Sequence, residues 1–555
     1  MAAGHVAAGD IPEQRPDLQP RPALLRQLNR ASQGSPLVVL TGVEGAGKSQ
    51  LALAYAQARL LSSWRLVAWV NARDAESLLA GLAAVTEAMA PSDGGIQPGT
   101  ADPGKALRYW LEADGRRCLL VFDGAEDFGL LRPFIPATGA ARVLVTAERE
   151  PVQERWTSVP VDLFSTEEAL AFLDGRTGLA DDAGAAAVAE ELGHLPLALD
   201  QAAAVIAGQH LGYAEYLAEL RELPVGDYLV LNEDGEEQPH PPGVAESVLL
   251  SLEAARAADP VGVCASAMEV MAMLSPAAVR CELLGAAGQA GTLLGGGRRV
   301  AASMVDEALK QLSQWSLLGF SRDGQVISAH PLVARVIRAG LARRGRLATA
   351  CRAAAWVVER SAETIAEARD HVAGREMLGQ VTALLENAGA QADDADEERG
   401  KILLRPRVLA LRQLIELGDD MERVIAIGEP LTADLERLLG PGHADTLSVL
   451  SSFAAAYHAA GRDADAIPLV QRILAARERL LGADDPGTLA ARNNLARAYR
   501  AAGRPAEAIP LFEQNVAACE RLLGAGHART LASRRSLDLA RQESERAGRR
   551  PRPEG

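Results

Sequence analysis

Residues Gly42-Val43-Glu44-Gly45-Ala46-Gly47-Lys48-Ser49 fit the spacing G-x-x-x-x-G-K-[ST], and each residue type in that pattern has a task at a polyphosphate. Glycines let the backbone turn so that successive N–H groups converge on phosphate oxygens. The ammonium of Lys48 reaches the terminal phosphates, and the Ser49 hydroxyl can ligate Mg²⁺. Gln50, next in the chain, belongs to the same candidate cradle. The chain holds four lysines, Lys48, Lys105, Lys310 and Lys401, against fifty-three arginines. A lysine at the one position where a compact ammonium is wanted therefore carries weight.

Such a loop works only between a strand and a helix. Leu37-Val38-Val39-Leu40 reads as a buried strand on one side, and Leu51, Ala54, Tyr55 and Ala58 recur at helical spacing on the other. Further short β-rich runs follow at Leu66–Val70, Cys118–Phe122, Arg142–Thr146 and Val159–Val161, separated by helical patterns. Alternation of this kind implies a parallel sheet covered by helices. The run from Pro91 to Gly104, rich in Gly, Pro and Asp, is expected to be a surface loop.

Composition sets outer limits. The 555 residues, nearly half of them apolar, imply three or four globular domains rich in helix. A net charge of -16 argues against a sequence-independent grip on nucleic acid. Five scattered cysteines without a C-x-x-C pair suggest neither a zinc site nor a disulfide framework. No run approaches the length of a membrane span and no leader pattern opens the chain, so a cytoplasmic location is expected.

From Ser165 to about Leu223 the pattern is helical. A polar segment, Asn232 to Gly243, separates it from several helices and two β-prone runs, Leu317–Phe320 and Gln325–Ser328, joined across Arg322-Asp323-Gly324. Asp-Gly between such runs reads as a hairpin. Helices followed by a hairpin suggest a winged-helix unit, and the pattern also fits other small α+β domains. Beyond the acidic stretch Gln391–Arg399, Leu439-Gly440, Leu481-Gly482 and Leu523-Gly524 recur every 42 residues, each followed by Thr-Leu. Ala460-Gly461-Arg462 and Ala466-Ile467-Pro468-Leu469 recur as Ala502-Gly503-Arg504 and Ala508-Ile509-Pro510-Leu511, and Gly418 begins a degenerate earlier copy. A fixed period with a Gly turn between helical halves is a helical-hairpin solenoid.

These motifs together resemble the signal-transduction NTPases of the NB-ARC type, the STAND class, in the bacterial form found in actinobacteria that carries C-terminal tetratricopeptide repeats. The resemblance runs over nearly the whole chain. It rests on Leu18-Gln19-Pro20-Arg21, Ala68-Trp69-Val70-Asn71-Ala72, Leu120-Val121-Phe122-Asp123 as a Walker B strand, Leu192-Gly193-His194-Leu195-Pro196-Leu197-Ala198-Leu199, and His330-Pro331-Leu332-Val333. It implies an α/β P-loop NTPase core at 20–165 after a flexible 1–19, a helical domain at 166–230 and a winged-helix-like domain at 244–341. A helical connector at 342–400, an all-α repeat solenoid at 401–540 and a polar tail at 541–555 would complete the chain. ADP or ATP with Mg²⁺ would be the ligands. Arg21 would lie near the base, Pro196 against base or ribose, and His330 at the ADP β-phosphate, holding the protein closed. Ser49 and, through water, Asp123 would hold the metal.

Two departures bear on mechanism. Where many relatives have a second acid after the Walker B aspartate, this chain has Gly124. Glu126 and Asp127 come next, with Glu126 the candidate to polarise water beside Lys48 and Asp123. Where the family's fourth strand ends Thr-Ser-Arg, this chain has Thr146-Ala147-Glu148-Arg149, so the γ-phosphate-sensing role of Arg149 depends on a one-residue slip being compensated. The expectation is an ADP/ATP-dependent switch, at most a slow ATPase. Its repeats would bind a protein or peptide, and it would be able to form a nucleotide-dependent homo-oligomer, without membrane or nucleic-acid contact. The alternatives are a repeat scaffold around a structural, non-exchanging ADP and, less favoured by charge, a DNA-binding regulator using the winged helix. The phosphate loop begins too early for a folded effector domain ahead of it, so output through protein contact is expected.

Overall fold

The computed structural model describes residues 5–13, 19–89, 96, 102–149, 156–222, 244–276, 279–294, 297–368, 371–389, 397–418 and 421–548. Most of the 91–104 loop, the 232–243 segment and most of the acidic 391–399 stretch lie outside them. Two compact units divide the chain, Met1–Arg399 and Gly400–Gly555.

The first unit is built on six parallel strands: β1 (Val6–Gly9), β2 (Leu37–Thr41), β3 (Leu66–Asn71), β4 (Cys118–Ala125), β5 (Arg142–Ala147) and β6 (Thr157–Pro160), ordered β1-β3-β4-β5-β2-β6. Alternate side chains of a strand face opposite ways, and both faces here are apolar, as a sheet covered on both sides requires. Leu66, Ala68, Val70, Leu120, Phe122, Val143 and Val145 pack with residues of the helices Ala75–Met89 and Pro103–Asp114. Val38, Leu40, Val67, Trp69, Leu119, Val121 and Leu144 pack with Leu28 and with Leu51 to Ala56 of the helix Lys48–Leu61. The parity that buries Leu119 and Val121 under that helix also turns Asp123 towards it.

β1 corrects the expectation of a flexible 1–19. Val6 to Gly9 add to the open edge of β3, registering Val6 with Leu66 and Gly9 with Trp69. Val-Ala-Ala-Gly carries little β signal of its own, so the pairing is supplied by the unpaired edge it meets. The segment then crosses to a second sheet: Glu13 N–H donates to Phe320 O at 3.0 Å and Arg322 N–H to Ile11 O at 3.1 Å. Ile11 is buried.

Helices Thr166–Thr177, Asp182–Glu191, Pro196–Gln209 and Tyr213–Glu222 follow the sheet, the first opened by a capping box between Ser165 and Glu168. Four more, Val244–Ala258, Val263–Met273, Cys281–Ala290 and Ala302–Gln314, surround an antiparallel sheet of β7 (Val279–Arg280), β8 (Leu318–Phe320) and β9 (Val326–Ala329), ordered β7-β9-β8. The Asp-Gly hairpin forms: Asp323 accepts from the Ser321 hydroxyl at 2.6 Å and Gly324 takes φ +70°. The two-residue β7 is too short to leave a period in the sequence. Pro331–Arg343 closes this part, and of the next two helices, Leu347–Ala368 and His371–Gly389, the second lies on Ala75–Met89 of the core.

The second unit is a run of helices, Glu397–Leu417, Met421–Leu438, Ala444–Ala459, Asp463–Leu481, Pro486–Ala501, Pro505–Leu523 and Ala528–Gly548. The first of these begins at the end of the first unit. The glycines recurring every 42 residues sit in both kinds of turn with positive φ, for example Gly440 at +94° and Gly461 at +70°. His443, Asp485 and His527, also 42 apart, each cap the next helix through a ring nitrogen or carboxylate. The expected polar tail from 541 is instead helical to Gly548, since Ala540 is fully buried and Arg541 pairs with Glu513 at 2.7 Å.

A Cβ on Gly9 would lie 1.9 Å from the Trp69 carbonyl oxygen, at a φ of +79°. Gly9→Ala is expected to unpair β1, costing about 1–3 kcal/mol. Hydrogen exchange should show amides 6–9 losing protection, and protection retained would contradict the role given to this strand.

Candidate functional site

The phosphate loop runs from the end of β2 into Lys48–Leu61 with left-handed glycines at Gly45 (φ +82°) and Gly47 (φ +91°), the latter at the helix N-cap without a side-chain cap. The N–H groups of the first helical turn have no intrahelical partner, which makes this helix end an anion site. The Lys48 ammonium donates to the carbonyls of Gly42 and Val43, both at 2.8 Å. Asp123 is the junction: its Oδ1 accepts from the Ser49 hydroxyl at 2.6 Å and from the Thr146 hydroxyl at 2.6 Å. One carboxylate and two hydroxyls brought together offer the hard oxygen donors that Mg²⁺ prefers alongside phosphate.

Lys48, Ser49 and Thr146 line a cavity of about 260 Å³; Asp123 is not among its lining residues and meets it through the two hydroxyls it binds. Its polar end holds Lys48, Ser49, Arg73, Glu126, Glu148 and His330, and its other end holds Pro20, Leu25, Ala54, Phe164, Phe172 and Pro196. A charged end joined to an apolar one matches a phosphate chain joined to a planar base. The walls come from three parts of the first unit. Leu197 N–H, in the first turn of Pro196–Gln209, donates to the Gly45 carbonyl at 3.3 Å, seating that helix on the loop. Glu44 meets Arg335 of Pro331–Arg343 at 3.4 Å.

Of the sequence candidates, Arg21, Glu44, Gly45, Ala46, Gly47, Lys48, Ser49, Gln50, Glu126, Pro196 and His330 all line the cavity. Gly42 and Val43 do not; their carbonyls hold Lys48 from behind, and Val43 is 55% exposed. Arg149 is a correction. β5 ends at Ala147, and in the bend that follows Glu148 lines the cavity whereas Arg149 is not among its lining residues. Arg21 lines the wall with its guanidinium engaged by Glu168 at 3.2 Å and by the carbonyls of Asp162 and Leu163. It therefore joins the core to the first helix after β6 as well as bordering the apolar end. Asp127 caps a short helix by accepting from Gly129 N–H at 2.7 Å, which leaves Glu126 at the cavity.

Arg73, Thr146, Phe164 and Phe172 were not legible as site residues. Arg73 had one signal, its place just past the end of a core strand, where side chains of a parallel sheet meet ligands. The phenylalanines arrive from the β6 loop and the helix beyond it, a meeting no local pattern announces.

Electrostatics follow from enclosure. Burial lowers the Lys48 ammonium below its usual range, opposed by Glu148, Glu44 and Asp123. Burial raises Glu44 and Glu126, opposed by Arg335 and by Arg73 respectively. His330 is pushed down to about 3 by burial, with Arg73, Lys48 and Arg335 adding to the effect. The neutral ring accepts Leu332 N–H on Nδ1 at 3.3 Å, capping Pro331–Arg343, so its proton sits on Nε2 as a donor. Its 4.0 Å approach to Glu44 is accordingly not an ion pair.

Fold and site together define a P-loop NTPase core joined to helical and winged-helix-type units and ending in tetratricopeptide repeats. The tetratricopeptide repeat family model matches residues 445–521 and 488–546. The chain is 30% identical over 245 residues to the regulatory protein AfsR of Streptomyces griseus and 29% over 257 residues to that of Streptomyces coelicolor, stretches covering 40% and 41% of this chain. It spans about a quarter of the length of these curated relatives, 25% and 26%. Among solved structures it is similar to a Signal Transduction ATPase with Numerous Domains with a tetratricopeptide repeat sensor from Pyrococcus horikoshii. That likeness has 13% identity and a TM-score of 0.39 over 97% of this chain and 84% of that one. Among the described residues no helix is long and apolar enough to cross a membrane.

Burial pushes His330 down to about 3 in the folded chain from its ordinary 6.5, so the unfolded chain binds the extra proton between those values. Its contribution to stability is present above about pH 6.5 and declines as pH falls towards 3. His330→Asn keeps a side-chain acceptor at the N-cap. Denaturant titrations should show a shallower acid loss of stability for this variant; an unchanged slope would place the acid sensitivity elsewhere.

Proposed function

We propose that this chain is an ADP/ATP-dependent switch with Mg²⁺ as its metal, whose repeats bind a protein or peptide partner and whose output is protein contact. The observation that carries this reading is the shared cavity. The core contributes the phosphate loop, the helical part contributes Pro196, and the winged-helix-type part contributes His330 together with the Glu44–Arg335 pair. A ligand held by three parts has a different affinity for each arrangement of them, and that difference is the whole energetic requirement for a switch. Repeats of this kind generally present extended surfaces to polypeptides. An amide ladder on the repeats is not supported, since Ser451 stands where the next repeat has Asn493 and bonds back to its own helix.

Hydrolysis is proposed to be slow. Gly124 supplies no second carboxylate beside Asp123, and of the acids lining the cavity, Glu44, Glu126 and Glu148, the role of orienting water is assigned to Glu126. Oligomerisation with nucleotide state and a cytoplasmic location complete the reading. The rival, a scaffold with a permanent ADP, draws support from Glu148, whose charge in the cavity opposes a further phosphate.

Mass spectrometry of the purified chain should find a copurifying adenine nucleotide. Lys48→Ala should remove it, whereas His330→Ala should keep the site and speed its exchange. Arg335→Ala should speed exchange modestly, about two- to fivefold, as expected for a partly exposed ion pair. Nucleotide content unaffected by Lys48→Ala would overturn the site; ADP that never exchanges, with partner binding indifferent to it, would favour the scaffold.

A further inference from the structure

Two residues beyond the end of β3 the chain reaches the cavity. Arg73 is half-buried in the wall of the cavity, and its backbone is fixed: Ala72 N–H donates to Asp123 O at 2.8 Å and Arg73 N–H to Asn71 Oδ1 at 3.1 Å. Its side chain crosses β4 above Gly124. A Cβ there would stand 2.9 Å from Arg73 Cγ and 3.0 Å from Nε, and Gly124 holds φ +77° where β4 slips its register against β5. The glycine that replaces a second acid is thus the gap through which the arginine passes. Among the described residues its guanidinium forms no hydrogen bond or ion pair with the protein, although Glu44, Glu126 and Glu148 share the cavity.

Topology orients the ligand that would meet it. The apolar end, with Leu25 and Phe164, lies beside β2 and β6, and the phosphate loop caps β2. From there the sheet continues β5, β4, β3, in steps of about 4.8 Å. The Ser49–Asp123 junction sits over β4. A phosphate chain starting at β2 and passing that junction therefore presents its last group to the side chain reaching back from β3.

Resting on the reading of the cavity as a nucleotide site, we propose that Arg73 is the cation that recognises the terminal phosphate of a nucleoside triphosphate, a task for which Arg149, outside the cavity lining, is not placed. A guanidinium with no protein carboxylate bound to it is available for bidentate contact with a phosphate. The same charge opposes Glu148, which would otherwise select the diphosphate. Arg73 is then the residue by which this chain tells three phosphates from two.

The test is calorimetric titration of the full chain with ADP and with the β,γ-imido analogue of ATP, each with Mg²⁺. Arg73→Ala should lower the ratio of triphosphate to diphosphate affinity about 10- to 100-fold, the range for lost charge-assisted hydrogen bonds. Arg73→Lys should lower it less, and Arg149→Ala should keep the wild-type ratio. Equal losses for both nucleotides in Arg73→Ala, or a ratio lost in Arg149→Ala, would overturn the assignment while leaving the nucleotide site intact. A wild-type chain that binds neither nucleotide would overturn that site and this assignment with it. Should Arg73→Ala fail to fold, the ratio measured for Arg73→Lys decides.

Discussion

One carboxylate oxygen holds the centre of the first unit together. Oδ1 of Asp123 takes the hydroxyl protons of Ser49 and Thr146, so the phosphate-loop helix, β4 and β5 meet at a single charged acceptor. Such bonds are short and roughly twice as strong as neutral ones, and they leave little freedom to the groups that make them. Thr146 also accepts Gly124 N–H at 2.7 Å, which anchors the irregular end of β4. The place where β4 departs from regular pairing is therefore pinned by the same network that joins Ser49 to Asp123.

The surrounding parts are tied to this centre by contacts of different strength. Arg21 joins the core to the helical part with a carboxylate and two carbonyls, at 12% side-chain exposure. The Glu44–Arg335 pair is more exposed and has a single contact, so it is the weaker closure. The segment from Val6 to Glu13 adds a third tie, pairing first with the core sheet and then with the β8–β9 hairpin. Movement of the winged-helix-type part away from the loop would have to break both the ion pair and the backbone bonds at Ile11 and Glu13.

Much of this was legible in the chain. Five strands of the large sheet, the phosphate loop, the Asp-Gly hairpin and the repeat period all follow from local pattern, because each is a periodicity or turn chemistry that operates within a few residues. β1 was not, since an edge strand of four small residues is stabilised by its neighbour. The helical continuation past Arg541 was hidden for a similar reason: its polar surface outweighs the buried Ala540 in composition. Among the residues lining the cavity, Glu44 to Gln50 form a contiguous run that pattern alone picks out, whereas Arg73, Phe164 and Phe172 converge from separate strands and loops.

The amino-acid order by itself determined that a glycine-rich loop carrying a lysine follows a buried strand, that a second apolar run leads into an acid, and that a helical solenoid follows the core. These depend on spacing along the backbone. Only the tertiary structure decided which charges enter the cavity. Glu148 rather than Arg149 lines it where the chain bends beyond the end of β5, and Arg73 reaches it because Gly124 carries no side chain to block the way. Both outcomes are properties of neighbouring segments in three dimensions, set by chain direction and clearance that no single segment contains.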